Sequence, residues 1–265
     1  MQQQISDFQT EVRELSRVLG PLDARDWERE TQFKGYTIND IVRHLHQGDL
    51  MGLASLAGPE AFQEMLDERA KRRKGGVTMR DDARLQFGHI GGAALLDLWQ
   101  SQAEALADGL AALEPDARLT WTGPSMGVKM FATARQMEVW AHGHDVHDVL
   151  GLDRAPTKRL RNIAEIGVRT YGWTFKNRGM EAPGAPPHVR LDAPGNEVWE
   201  WHDGSTTGKV SGSALEFCQV VTQVRNVTDC ALNVDGDSAR LWMSLAQCFA
   251  GPPEDPPVAG RRFKV

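Results

Sequence analysis

Cysteine is scarce in this 265-residue chain. Cys218, Cys230 and Cys248 are the only three, all in the last fifth, with no C-x-x-C pair. That pattern excludes a disulfide scaffold and a cysteine zinc knuckle, and it points to a reducing cytoplasm. The Asn226-Val227-Thr228 sequon is then expected to stay unglycosylated. No apolar run approaches the roughly 20 residues of a membrane span. The opening Met1-Gln2-Gln3-Gln4-Ile5-Ser6-Asp7 has neither a basic start nor an apolar core, so no signal peptide is expected. No basic stripe accompanies the net charge of −6, which argues against nucleic acid as a partner. No internal repeat is visible.

The hydrophobic fraction of 41% and charged fraction of 25% are those of a folded protein. Ile5, Phe8, Val12 and Leu15 recur at helical spacing, predicting a helix from about residue 3 to Leu19 that Gly20-Pro21 stops. Thr37 with Asp40 three residues on resembles a capping box opening a second helix, which runs to Gly58-Pro59. Residues 59–70 read as a short amphipathic helix, followed by the charged loop Lys71 to Gly76. A third long helix, starting near residue 80 or 90 and ending at Leu113, buries Leu95, Leu96, Trp99, Ala103, Leu106 and Leu110. A turn-rich loop over 118–128 precedes a fourth helix to Leu150, and a fifth spans about 157–176.

The texture then changes. Three prolines and a glycine over 181–187 mark a linker. Residues 188–192 and 198–201 alternate like half-buried strands, joined by Pro194-Gly195-Asn196. Ser213 to Val224 and Ser238 to Phe249 read as helices, and Pro252 to Val265 as an irregular tail. The expected class is α+β: a helical bundle over 1–180 and a small α+β domain over 181–265.

Eight histidines are present, five of them on two predicted helices. Glu138 and His142 are four apart on the fourth helix and share one face. A carboxylate and an imidazole so placed can clasp a metal ion, with His44 on the second helix as a third ligand and a position left for substrate. Spacing alone leaves rivals: His144 with Asp148, Asp145 three after His142, and His46 beside His44.

Two motifs bear on that choice. Gly35-Tyr36-Thr37-Ile38-Asn39-Asp40 through His44-Leu45 resembles the G-W-T-x-x-D-x-x-x-H-L segment of the DinB-like superfamily. Trp121-Thr122-Gly123-Pro124-Ser125-Met126, then Ala132 through Val146 with Glu138-Val139-Trp140-Ala141-His142-Gly143, is similar to one branch of the actinobacterial mycothiol-dependent maleylpyruvate isomerase-like metal-binding proteins. The resemblance implies His44, Glu138 and His142 as ligands. It also implies a DinB-like four-helix metal domain and a C-terminal α+β domain resembling sterol carrier proteins, with Val210-Ser211-Gly212-Ser213 and Asp235-Gly236-Asp237 looking like parts of the latter. Tyr36 departs from the usual tryptophan, and His144 from the expected polar residue.

Four further residues are candidates for the chemistry. Arg135 would orient Glu138 or hold a substrate anion, against a plain salt bridge. Asp145 would accept the second N–H of His142. His144 would extend the site, and Ser125 would donate to substrate from the loop before the fourth helix. Zinc is the default cation for two imidazoles and a carboxylate, with nickel, iron or manganese as substitutes. The resemblance implies mycothiol as cosubstrate and an isomerase or thiol transferase acting on a small molecule, as monomer or homodimer. The alternatives are a thiol-independent hydrolase, lyase or hydratase using metal-bound water, and a non-catalytic metal- or apolar-ligand-binding protein.

Overall fold

The structure is a computed structural model that describes residues 1–265. The chain divides into two compact units, Met1–Leu150 and Gly151–Val265. The first contains α1 (Gln2–Leu19), α2 (Ile38–Ala57), α3 (Pro59–Arg72), α4 (Met79–Phe87), α5 (Gly92–Ala111), a two-stranded hairpin of β1 (Arg118–Leu119) and β2 (Met126–Gly127), and α6 (Val128–Leu150).

Four long helices share one core: α1 packs on α5 and α6, and α2 packs on the same two. Ile5, Phe8, Val12, Leu15 and Leu19 all point inward from α1, as their spacing requires. The capping box of α2 is present: Asp40 N donates to Thr37 Oγ1 at 3.2 Å, and Thr37 N donates to Asp40 Oδ2 at 3.1 Å. Such a cap contributes about 1 kcal/mol and fixes where α2 starts. Gly52 and Gly109 let α2 and α5 approach closely, because a Cβ at either would stand 2.9 or 2.5 Å from Leu106 or Leu56.

The second unit opens with α7 (Leu160–Arg169) and α8 (Tyr171–Lys176). It continues with β3 (His188–Ala193), β4 (Glu197–Trp201), β5 (Lys209–Ser213), α9 (Ala214–Val221), β6 (Asn233–Asp235) and α10 (Asp237–Leu245). The strands form one sheet in the order β4-β3-β5-β6, with β3 and β5 parallel and the other pairs antiparallel. Val189, Leu191, Trp199 and Val210 turn to the face that α9 covers with Phe217, Cys218 and Val221.

The structure departs from the sequence expectations at several boundaries. The expected division at residue 180 falls inside the second unit, because α7 packs on α9. Leu160, Ile163, Ala164 and Val168 give α7 its apolar stripe, which serves the second core. The third long helix takes the later of its two expected starts, as α5 from Gly92; Gly88 to Gly91 separate it from α4, with Gly92 at φ 58° and its N–H held by Asn39 Oδ1. The fifth helix is split, at Thr170. The helix expected to reach Phe249 ends at Leu245, and β5 and β6 are strands too short and glycine-flanked to show alternation.

Candidate metal centre

His44 sits mid-way along α2, and Glu138 and His142 lie one turn apart on α6. Their potential ligand atoms all lie within 4.8 Å of one another. Glu138 Oε2 is 3.7 Å from His44 Nε2 and 3.6 Å from His142 Nε2. Tetrahedral coordination at 2.0–2.1 Å separates neighbouring ligand atoms by about 3.3–3.4 Å, so the three need little adjustment to share a cation. The two imidazoles meet edge to face with centroids 4.7 Å apart. Phe33 and Tyr36, from the segment leading into α2, pack edge-on against His142 and His44. The side chains of Glu138 and His44 keep 26% and 22% exposure, so the cluster is open on one side. Two surface hollows, about 360 Å³ around His202 and Ser205 and about 310 Å³ between α1 and α5, are lined by other residues.

The electrostatics suit a cation. Burial alone would raise the Glu138 carboxyl, but the His142 and His44 rings beside it outweigh that and hold the group well below the usual carboxylate range. Burial pushes the His44 imidazole down, leaving it a neutral electron-pair donor near pH 7. Burial acts the same way on His142, yet Asp145 and Glu138 together move it up. His142 Nδ1 lies 3.2 Å from Asp145 Oδ2. With the proton on Nδ1 donated to that carboxylate, the lone pair of Nε2 faces Glu138 and His44.

Behind the cluster lies a buried ion pair. Arg135 Nε donates to Asp49 Oδ1 at 3.0 Å, Arg135 Nη2 donates to Leu45 O at 3.3 Å, and Trp99 Nε1 donates to Asp49 Oδ2 at 2.9 Å. Asp49 is fully buried, and burial outweighs Arg135 in pushing its carboxyl up. Gly48 makes room for the guanidinium: a Cβ there would stand 2.7 Å from Arg135 Nη1. The pair ties α2 to α6 one turn beyond His44.

A model of the mycothiol maleylpyruvate isomerase N-terminal domain matches residues 8–147, which take in all of these side chains. The chain belongs to this family. Uncharacterized proteins from two strains of Mycobacterium tuberculosis are 36% identical over 249 residues, 94% of this chain and 96% of theirs. Crystal structures of the mycothiol-dependent maleylpyruvate isomerase, one of them a mutant, share its fold: TM-score 0.55 at 16% identity, over 95% of both chains. No helix of this family member is long and apolar enough to cross a membrane.

Of the residues the sequence singled out, the structure brings together His44, Glu138, His142 and Asp145, with Arg135 adjoining. His144 is not among them. It lies two residues beyond His142, about 200° around the helix, and packs on Trp140 at 4.3 Å between ring centroids. Ser125 is engaged within its own turn, accepting from Arg118 Nε at 3.1 Å. Arg135 is a salt bridge rather than an anion clamp, since Asp49 and a backbone carbonyl take its N–H groups. His46 is buried against Phe87, His147 bonds to Gly143 O, and His188 to Glu200. Sequence reasoning missed Gly48 and the indole of Trp99 as supports. Their only sequence signal is position: Gly48 stands one turn after His44 on the same face.

Proposed function

We propose that this protein is a metal-dependent, mycothiol-using isomerase or thiol transferase. The observation that carries this reading is the convergence of His44, Glu138 and His142 ligand atoms within 4.8 Å on an open face. Zinc fits two imidazoles and a carboxylate; nickel, iron and manganese accept the same donors. A divalent cation bound there supplies acidity to a thiol or polarises a carbonyl.

The chain's own residues have narrower tasks. His44 presents a neutral nitrogen, His142 presents one once its ring proton is shed, and Glu138 presents a carboxylate that stays ionised at every physiological pH. Asp145 holds the proton of His142 at Nδ1, away from the cluster. Arg135 and Asp49 keep α2 and α6 in register.

No residue of the first unit is a cysteine, and the three thiols of the second are protonated near neutrality or buried. Burial pushes Cys218 well up and Cys230 up to about 12. The nucleophilic sulfur is therefore assigned to a small-molecule thiol, mycothiol by the family's name, attacking an electrophilic carbon of a second small molecule. The free thiols also suit a cytoplasmic site of action. The second unit we read as a sterol-carrier-like module appended to a DinB-like four-helix metal domain.

Elemental analysis of the isolated protein tests the site. About one divalent ion per chain is expected, and H44A and H142A should lose most of it. Full occupancy in both variants would overturn the assignment. Maleylpyruvate isomerisation, followed with and without mycothiol, tests the reaction. Turnover that needs the thiol supports the reading; equal turnover without it indicates a thiol-independent metalloenzyme.

A further inference from the structure

Three helices of the first unit meet at an unusual polar joint. Arg69, near the end of α3, donates from Nη1 to Met51 Sδ on α2 at 2.8 Å and from Nη2 to Met79 Sδ on α4 at 3.1 Å. Its Nε is buried and finds no acceptor. Asp82, the buried carboxylate of α4, is engaged elsewhere, by Arg72 Nε at 2.8 Å and Gln47 Nε2 at 3.0 Å. The polar partners of the Arg69 guanidinium are thus two thioethers.

Thioether sulfur is a weak acceptor, so this guanidinium gives up water and gains little. The helices it joins have few other anchors in the core. The only buried side chain of α3 is Phe62, and those of α4 are Asp82 and Ala83. Elements with so little buried surface open locally at low free energy.

Oxidation would invert the chemistry of the joint. A methionine sulfoxide carries a strongly accepting, negatively polarised oxygen on its sulfur. In an apolar core that oxygen is stranded and loosens the packing. Beside Arg69 it meets N–H groups already directed at the sulfur, so a charge-assisted hydrogen bond replaces a weak one. The sulfur must retreat to make room, and the rotatable bonds of methionine allow it. Met79 is the first residue of α4 and half-buried, so dissolved oxidant reaches it; Met51 is 5% exposed and is reached second.

We propose that Met79, with Met51 behind it, is a reversible oxidation site at which sulfoxide formation fastens α2, α3 and α4 together through Arg69. Hydrogen peroxide is the oxidant. A sulfur lone pair takes one peroxide oxygen and the O–O bond breaks. The proton on the transferred oxygen goes to the departing hydroxide, which leaves as water. The sulfur loses two electrons and the peroxide gains them. Methionine sulfoxide reductases, with a thiol as electron donor, restore the thioether.

The sign of the stability change identifies the site. The full chain is treated with graded hydrogen peroxide, sulfoxides are located by peptide mass spectrometry, and thermal melting and amide hydrogen exchange are measured on each sample. Met180, 41% exposed, gives the rate of an ordinary surface methionine, and Met137 and Met243, 2% and 1% exposed, give that of buried ones. Met79 should be modified before Met137 and Met243. Its sulfoxide should raise the melting temperature of the parent by about 2–4 °C and slow exchange in peptides from α3 and α4. Treatment with the two methionine sulfoxide reductases should return the parent to its starting temperature. M79L keeps the packing without the reactive sulfur, and peroxide should not raise its melting temperature. R69L keeps both sulfurs without the N–H donors, and Met79 sulfoxide should lower its melting temperature. Should R69L fail to fold, the comparison of parent with M79L decides alone. Met79 left unmodified when Met180 is fully converted, a Met79 sulfoxide that does not raise the melting temperature of the parent, or an equal rise in M79L would overturn the site.

Discussion

Asp145→Asn isolates how one carboxylate sets the donor quality of His142. In the parent, Asp145 is 2% exposed and lies 3.2 Å from His142 Nδ1, so in the neutral ring it favours the proton on Nδ1 and leaves Nε2 to donate its lone pair. An asparagine of the same shape can offer either its oxygen or its N–H. The second option puts the imidazole proton on Nε2, facing the cluster. Loss of such a partner typically costs 10–100-fold in metal affinity, or about 1.4–2.7 kcal/mol. The proton competes with this effect. Despite burial, Asp145 and Glu138 together raise the His142 pKa, so below that raised value the parent must shed a proton before the nitrogen can bind. D145N loses one of the raising groups and is less hindered. The parent's advantage should therefore be small near pH 6 and widen as pH rises to 8. Competition titrations of zinc against a chromophoric chelator at pH 6, 7 and 8 measure it, with circular dichroism confirming that D145N is folded. Equal affinity at pH 8, or a gap that narrows as pH rises, would refute the role given to Asp145.

The buried ion pair behind the cluster makes its own prediction. R135M should destabilise the protein by about 3–5 kcal/mol, because it strands the fully buried Asp49 with only Trp99 as partner. R135M/D49N should recover much of that loss in a denaturant-melt double-mutant cycle. G48A should cost about 1–3 kcal/mol and also weaken metal binding, since its Cβ would press on a guanidinium locked in place; unchanged melting and metal affinity would show that α2 and α6 can part freely. D40N should lower stability by about 2 kcal/mol at pH 7, discounted because Arg84 is 43% exposed. The Asp40 carboxyl feels burial, yet Arg84, Thr37 and Arg43 pull its pKa down on balance; its contribution is thus complete above the unfolded value near pH 4 and lost as pH falls through the folded one. Acid melts of parent and variant should converge at low pH. Cys230, pushed up to about 12, should react with iodoacetamide at pH 8 on the order of 50-fold more slowly than a free thiol, the scarcity of thiolate being partly offset by its greater nucleophilicity.

Much of the first unit was legible because its signals are local. The stripe of α1, the capping box of α2 and the turn at Gly58-Pro59 each depend on residues within one or two helical turns. The three candidate ligands were legible only through motifs, since spacing relates Glu138 to His142 but says nothing about His44 meeting them. The boundary between units was not legible. Leu160, Ile163 and Val168 predict a helix with an apolar face, and nothing in that face says whether it serves the core before it or after it. Strand β5 stayed hidden because four of the five residues of Lys209–Ser213 are glycine or polar, and it holds its place in the sheet through pairing with β3 and β6 rather than through side-chain alternation.

The sequence of α6 carries the clearest link between legibility and function. A helix buried nearly all round should be apolar all round, yet α6 buries Arg135, Gln136, His142, His144, Asp145 and Asp148 among Val139, Trp140 and Val146. Each buried polar group that the structure pairs has a cost unless its partner is in place. Arg135 has Asp49, and His142 has Asp145. Glu138 and His44 stand apart from this compensation. Their contact, at 3.7 Å, is too long for a good hydrogen bond, while both retain access to solvent. Two donors held near each other, but closer to coordination spacing than to bonding distance, are what a cation between them would require. Were Glu138 on α6 and His44 on α2 present for packing alone, hydrocarbon in their place would add stability of the kind gained when buried charges are exchanged for apolar residues. The violation of the apolar pattern in α6 is thus itself an argument that this stretch is kept for chemistry, and H44L/E138L should show it by folding more stably than the parent while binding no metal.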